Sequence, residues 1–397
     1  MFSTAKSHSK YNLYEYYYLI FLFIILIQLF FLPGIRLGVV TACLILFVLY
    51  RGINKHDLLR NTLINKLVLA YLFYNTISIV WFVFSGIPVS VFFAEWSNSI
   101  LPIFFFYLSH KADKFNYSFY NNTLFVIIVS FVLGFYLWMK EPPIYRVFMD
   151  TTEGPGTDMM FFQSLYGLTA TAAMAVIGFL ISTRLVTLSK GKKNKIVMLI
   201  CIVATILTFR RAAILVLLIA IIVMHFVGYI KFGSLKKRYF LLELLFLYSI
   251  YIFINQNYGD FFENLIERSS MISEAFDERS GTWSYAFQDL SFIFGKGLGS
   301  TGHKAIGYST TLIADGNYFK MIAEIGIVGV LIFFLIIVNT FVSGLKDFKN
   351  KYLELGIVAS LCLIAIGSNI LTYQSIAPIF WYSIGRILYK ENRVKPG

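Results

Sequence analysis

The chain has 397 residues, of which 58% are hydrophobic and only 14% charged, and its mean hydropathy is +0.72. A soluble domain of this length does not have that composition, so the sequence reads as a polytopic membrane protein. The formal charge of +13 sits in short basic clusters between apolar runs; that pattern encodes topology and excludes a nucleic-acid-binding reading.

Apolar runs recur at residues 15–32, 35–50, 64–84, 90–108, 122–139, 161–181, 196–209, 212–229, 239–255, 318–338, 353–371 and 376–389. Such lengths suit about 30 Å of hydrocarbon crossed by a helix. The runs are continuously apolar and do not alternate, which specifies helices and not barrel strands. The expected fold is therefore all-α, a single membrane domain over 1–397 with about twelve transmembrane helices. The first run lacks a small-residue cleavage site and is followed at once by another, so it reads as a retained helix. Tyr11, Tyr14, Tyr16, Tyr17 and Tyr18 are expected to form an aromatic belt at its interface. Cys43, Cys201 and Cys362 all fall inside apolar runs, with neither a disulfide framework nor Cys/His metal spacing.

Most of the 34 Lys and Arg fall on one side of the resulting serpentine, including Arg51, Lys111, Lys192, Lys237, Lys349 and Lys390. That side is the cytoplasm, so both termini are expected inside. The segments 140–160 and 256–317 then face outward, into the periplasm of a Gram-negative host. No internal repeat and no inverted pair of interrupted helices is visible, which argues against a secondary transporter.

The polar stretch 256–317, between predicted helices nine and ten, is the feature that a channel or exporter has least use for. Phe261, Phe262, Leu265, Ile266, Ile272, Ala275 and Phe276 recur at near-helical spacing and predict an amphipathic helix on the membrane surface. Ser280-Gly281-Thr282 reads as the turn and cap of a second short helix through Trp283, Phe287 and Leu290. Neither can bury its apolar face in water, so both are expected to pack on the bundle or on lipid.

Candidate chemistry is concentrated at the outer face. Arg210 and Arg211 lie between two apolar runs with almost no loop, against the positive-inside bias. Their planar forks suit a diphosphate clamp, and snorkelling to headgroups is the plainer alternative. Arg279 stands beside Asp277 and Glu278 and either pairs with them or holds an anion. Gly295-Lys296-Gly297-Leu298-Gly299 lacks P-loop spacing; it reads as a flexible turn, or as backbone amides that approach an anion. His303 is the one histidine expected outside, either ordinary or a base. Asp315-Gly316-Asn317, followed by Tyr318, opens the next run. Asp315 is read as its N-cap, as a carboxylate for an acceptor hydroxyl, or both. Glu95 is an intramembrane carboxylate and a site candidate on that ground, as is Glu243 less clearly. The outer loops carry no Asp-x-Asp cluster, so no metal or other cofactor is expected.

Taken in order, Phe-Arg-Arg-Ala between two runs, Arg-Ser-Gly-Thr-Trp and Gly-Lys-Gly-Leu-Gly in one long outer loop, and Asp-Gly-Asn-Tyr before Glu-Ile-Gly-Ile-Val-Gly resemble the O-antigen polymerase (Wzy) and O-antigen ligase (WaaL) superfamily. The motifs cover roughly 196–338, the topology the whole chain. The resemblance implies a GT-C-like, metal-independent glycosyltransferase of the bacterial inner membrane. It would use an undecaprenyl-diphosphate-linked oligosaccharide as donor and another as acceptor. It further implies that Arg210, Arg211 and Arg279 hold the diphosphate, with Asp315 first and His303 second as the acceptor contact. Lys296, Asn317, Tyr318, Trp283 and Glu95 are the remaining substrate-binding candidates. The ligase branch typically ends its long loop in His-Asn; here Asp315-Gly316-Asn317 stands instead, which favours a polymerase, with a Wzz-type chain-length regulator as a further partner. Ligase is the first alternative and a polysaccharide flippase or exporter the second.

Overall fold

The computed structural model describes residues 12–30, 37–52, 62–111, 117–140, 162–189, 192–208, 210–232, 252, 280–287, 291–313 and 315–388. The run 239–255 apart from Ile252, the surface helix expected over 261–276, the 140–160 loop, Glu243 and Arg279 lie outside the described residues.

The apolar runs that fall on described residues are largely helical, with two corrections: the run 161–181 becomes helical only at Leu168, and the run 353–371 leaves the helix after Ile364. A 3-10 turn, Leu13–Tyr16, leads into α1 (Tyr17–Phe30), which is followed by α2 (Leu37–Gly52). Helix α3 (Leu63–Ile77) starts at Thr62, whose hydroxyl caps the Asn65 amide at 3.3 Å, and continues with a bend at Ser78 to Ser85. Helix α4 (Val89–Ser99) breaks at Ile100, one residue before a 3-10 turn holding Pro102, which has no N–H for the helical ladder. Then come α5 (Ser118–Lys140), α6 (Leu168–Ser189), α7 (Lys192–Leu207), α8 (Arg211–Phe232), α9 (Asn317–Lys346), α10 (Phe348–Ile364) and α11 (Ala377–Leu388). No strand occurs among the described residues.

The chain is thus an all-helical membrane protein in its described part, but the spanning helices are fewer than the twelve expected. Five stretches there are long and apolar enough to cross a bilayer: Leu63–Ser85, Val89–Lys111, Ser118–Leu137, Leu168–Thr187 and Asn317–Lys346. Large apolar side chains such as Phe73, Phe93, Val132, Leu331 and Phe334 remain exposed, as a lipid-facing surface requires.

The connection 365–376 between α10 and α11 is not an exposed loop. Asn369, Ile370, Leu371 and Ser375 are buried in it, and non-helical backbone at such depth must find donors inside the protein. Tyr17 Oη donates to the Gln374 carbonyl at 3.0 Å and Tyr18 Oη to the Ser375 carbonyl at 2.9 Å. Thr41 donates to the Gln374 side chain, and the Asn317 amide donates to the Ala365 carbonyl at 3.0 Å. This corrects the aromatic-belt reading for Tyr14, Tyr17 and Tyr18. All three are buried, and two of them satisfy backbone that would otherwise be orphaned.

At the other end of α10, Arg386 Nε lies 3.6 Å from Glu354 Oε1, and the Arg184 guanidinium sits 4.0 Å over the Tyr117 ring. Charge is therefore buried inside the helical bundle.

Candidate functional site

Helix α9 carries its own interruption. Gly326 has φ 65° and ψ 179° inside an otherwise helical run, which frees carbonyls about two turns below the helix start. The segment after the short helical turn Ser291–Phe294 supplies their donors. The Lys296 amide donates to the Ala323 carbonyl and the Gly297 amide to the Glu324 carbonyl, both at 2.8 Å. The Leu298 amide is anchored on Ser78 Oγ of the α3 bend at 3.2 Å.

The glycines in this strap are obligatory. Gly295, Gly297 and Gly299 have φ of 81°, 94° and 87°, which L side chains avoid. A Cβ on Gly297 would stand 2.6 Å from Phe82 Cα, and one on Gly295 would stand 2.2 Å from the Glu324 carbonyl oxygen. The run is neither the flexible turn nor the open anion loop that its composition suggests. It is a packed strap, and its Lys296 and Gly297 amides are already committed to α9.

Beneath the strap lies a buried ion triad. Lys320, one turn into α9, pairs with Glu95 of α4 and stands 3.9 Å from Glu324 Oε2. All three side chains are 4% exposed or less. Glu324 Oε1 also lies 3.4 Å from both the amide and the hydroxyl of Thr301. One ammonium between two carboxylates leaves one formal negative charge. A cleft of about 30 Å³ opens on this group, lined by Asn75, Ser99, Asn317, Lys320, Glu324 and Thr372 on its polar side. Tyr71, Phe333, Phe380 and Trp381 form its aromatic wall. That volume holds one or two waters. Asn317 is 1% exposed; its Nδ2 reaches Met321 Sδ at 3.2 Å, and its Oδ1 has no hydrogen-bond partner.

The other candidates distribute as follows. Trp283 stacks on Phe319 with centroids 4.3 Å apart, and its Nε1 donates to the Asp315 carbonyl at 2.8 Å. A helical turn ending in a 3-10 turn is present over 280–287 and packs on the first turns of α9; Ser280-Gly281-Thr282, expected as its turn and cap, is itself helical, and Leu290 lies outside the described residues. Asp315 is not the α9 N-cap. Gly316, with φ 95°, occupies that position, because the Trp283 ring crowds it at 2.8 Å from any added Cβ. Tyr318 Oη donates to the Cys362 carbonyl at 2.8 Å, a helix-to-helix tie between α9 and α10. His303 lies exposed on a 3-10 turn, and Lys296 is half-buried. Arg210 is half-buried and Arg211 exposed; they form the start of α8, where the Arg210 carbonyl accepts from the Ile214 amide at 3.0 Å. The structure therefore gathers Glu95, Asn317 and Glu324 around one cleft and places the arginine pair at the turn of the α7–α8 hairpin.

Lys320 and the role of Glu324 escaped the sequence reading. A signal was present: a lysine and a glutamate four apart inside an apolar run are intramembrane ionisable groups, and each is a site hypothesis by default. Among the described residues no three His, Cys, Asp or Glu side chains gather. No protein-family model matches the chain, and no curated protein matches it significantly.

Proposed function

We propose that this protein is an O-antigen polymerase, a metal-independent glycosyltransferase of the bacterial inner membrane. It joins undecaprenyl-diphosphate-linked oligosaccharide units at the periplasmic face. The observation that carries the reading is the arginine pair at the start of α8. A helix N-terminus bears roughly half a positive charge, so two guanidinium groups there oppose the dipole. A shared anion reverses that penalty, because backbone amides, dipole and both forks then point at one negative group. A diphosphate between a lipid tail and a sugar is such an anion, presented at the membrane surface.

The chemistry follows from that placement. As the glycosidic bond to the diphosphate breaks, charge builds on the leaving oxygen, and preorganised arginines stabilise it. Arg279 joins Arg210 and Arg211 in this role by the resemblance of its motif. The polyprenyl tail lies in lipid between helices. A chain-length regulator in the same membrane is the expected protein partner.

A second reading, a polysaccharide flippase or exporter, draws on one observation. The broken helix α9 and its buried triad resemble the interrupted, charge-bearing helices of transporters. The capping of the Ala323 and Glu324 carbonyls by the strap weighs against it, since a transporter would leave such carbonyls for a coupling ion. Deletion in the native strain, followed by gel separation of the surface glycan, tests the assignment. Lipid A-core bearing a single repeat unit is the expected result. Core bearing none would refute polymerase in favour of ligase or flippase, and an unchanged ladder would refute all three.

A further inference from the structure

From the cleft on α9 we infer that Glu324 is the general base for the acceptor sugar, with Asn317 holding a neighbouring hydroxyl of the same sugar. The inference rests on the glycosyltransferase reading and moves the acceptor contact from Asp315 to the triad.

Three observations converge on it. First, the charge count leaves Glu324 under-compensated. The Lys320 ammonium pairs closely with Glu95, while Glu324 Oε2 stands 3.9 Å from Lys320 Nζ, beyond hydrogen-bond length. Glu324 Oε1 is steered by the amide and hydroxyl of Thr301 at 3.4 Å, which fixes the carboxyl group's orientation. Second, a buried acceptor in the same cleft lacks a donor: Asn317 Oδ1, on a side chain 1% exposed. An orphaned buried carbonyl is destabilising, and a ligand hydroxyl removes that cost. Third, the opposite wall is aromatic, with Tyr71, Phe380 and Trp381. Two acceptors spaced along one helix face, opposite aromatic rings, fit a polyhydroxylated ring with an apolar C–H face. The cleft holds only a hydroxyl-bearing edge of such a ring.

The step balances as follows. Glu324 takes the proton of the acceptor hydroxyl as that oxygen bonds to the donor's anomeric carbon. The anomeric carbon–oxygen bond to the diphosphate breaks, and its electron pair leaves on undecaprenyl diphosphate. Glu324 later releases the proton to water. The Lys320–Glu95 pair only positions Glu324, and no other described charged side chain lines the cleft.

The test uses full-length protein in lipid nanodiscs with the undecaprenyl-diphosphate-linked repeat unit from the native strain. Glu324→Gln keeps the shape and the Thr301 contact but cannot accept the proton. It should lower turnover about 100-fold or more while donor-lipid affinity stays within about twofold. Asn317→Ser should raise the acceptor KM with donor affinity unchanged. Wild-type-like polymer from Glu324→Gln overturns the inference and leaves the polymerase reading intact. Loss of donor binding in parallel with turnover, or failure of both variants to accumulate in the membrane, also overturns it by placing these residues in the architecture alone. A wild-type protein that forms no glycosidic bond from this donor overturns both the inference and the reading beneath it.

Discussion

Replacing Lys320 by methionine probes what holds the bundle together beneath the strap. The substitution keeps the length and apolar stem of the side chain and removes only the ammonium. Lys320, Glu95 and Glu324 are each 4% exposed or less, so neither carboxylate can recover its hydration. Breaking a buried ion pair by removing one partner costs about 3–5 kcal/mol, because the remaining charge is left uncompensated. Here two carboxylates remain, which places the cost toward the upper end. At an unfolding entropy of about 2 cal/mol/K per residue, a 397-residue chain should lose about 4–6 °C in Tm. The assay is thermal unfolding in detergent, followed by fluorescence or by loss of the monodisperse size-exclusion peak. A triple variant, Glu95→Gln with Lys320→Met and Glu324→Gln, removes all three charges and should recover most of the loss. A Lys320→Met protein that melts with the wild type, or a triple variant as unstable as the single one, would refute the triad as a coupled buried charge unit.

Three further outcomes follow from the geometry. Gly297→Ala puts a Cβ 2.4 Å from Phe82 Cβ at a φ of 94° and should reduce folded, extractable protein severalfold. By contrast, Gly307→Ala at φ 83° meets open space and should cost only about 1 kcal/mol; equal yields would contradict the packed strap. Arg210→Lys and Arg211→Lys should each leave membrane abundance near normal yet sharply shorten the glycan ladder, because lysine lacks the bidentate fork; a normal ladder from both removes the pair from diphosphate binding. A cysteine at Tyr308, which is 61% exposed, should react with a membrane-impermeant maleimide in intact spheroplasts, whereas one at Ser300, 2% exposed, should not. Labelling of Tyr308→Cys only after lysis would reverse the orientation.

The sequence by itself determined the solvent. Continuous apolar runs without alternation can satisfy their backbone in lipid only as helices, and the helices of the described residues fall on those runs. Local chemistry was legible too: the helical turn at Trp283 and the start of α8 at Arg211 follow from composition and spacing. What composition could not decide was which irregular segments are buried. Residues 365–371 belong to an apolar run that reads as helix, yet the helix stops at Ile364, and the glycine strap is a loop by local propensity; both lie inside the bundle, because partners far away in the chain satisfy their backbone. Tyr17 and Tyr18 reach Gln374 and Ser375 across more than 350 positions, and Lys296 and Gly297 cap the break that Gly326 makes in α9. The ion triad is of the same kind. Lys320 and Glu324 are neighbours by helical spacing, but Glu95 meets them 225 residues away. Only the tertiary arrangement that carries Glu95 of α4 to Lys320 of α9 beneath the strap turns an apolar run with two stray charges into a buried site with one carboxylate in excess. Side-chain pairing at that range depends on which helices touch, and no local pattern in this chain specifies that.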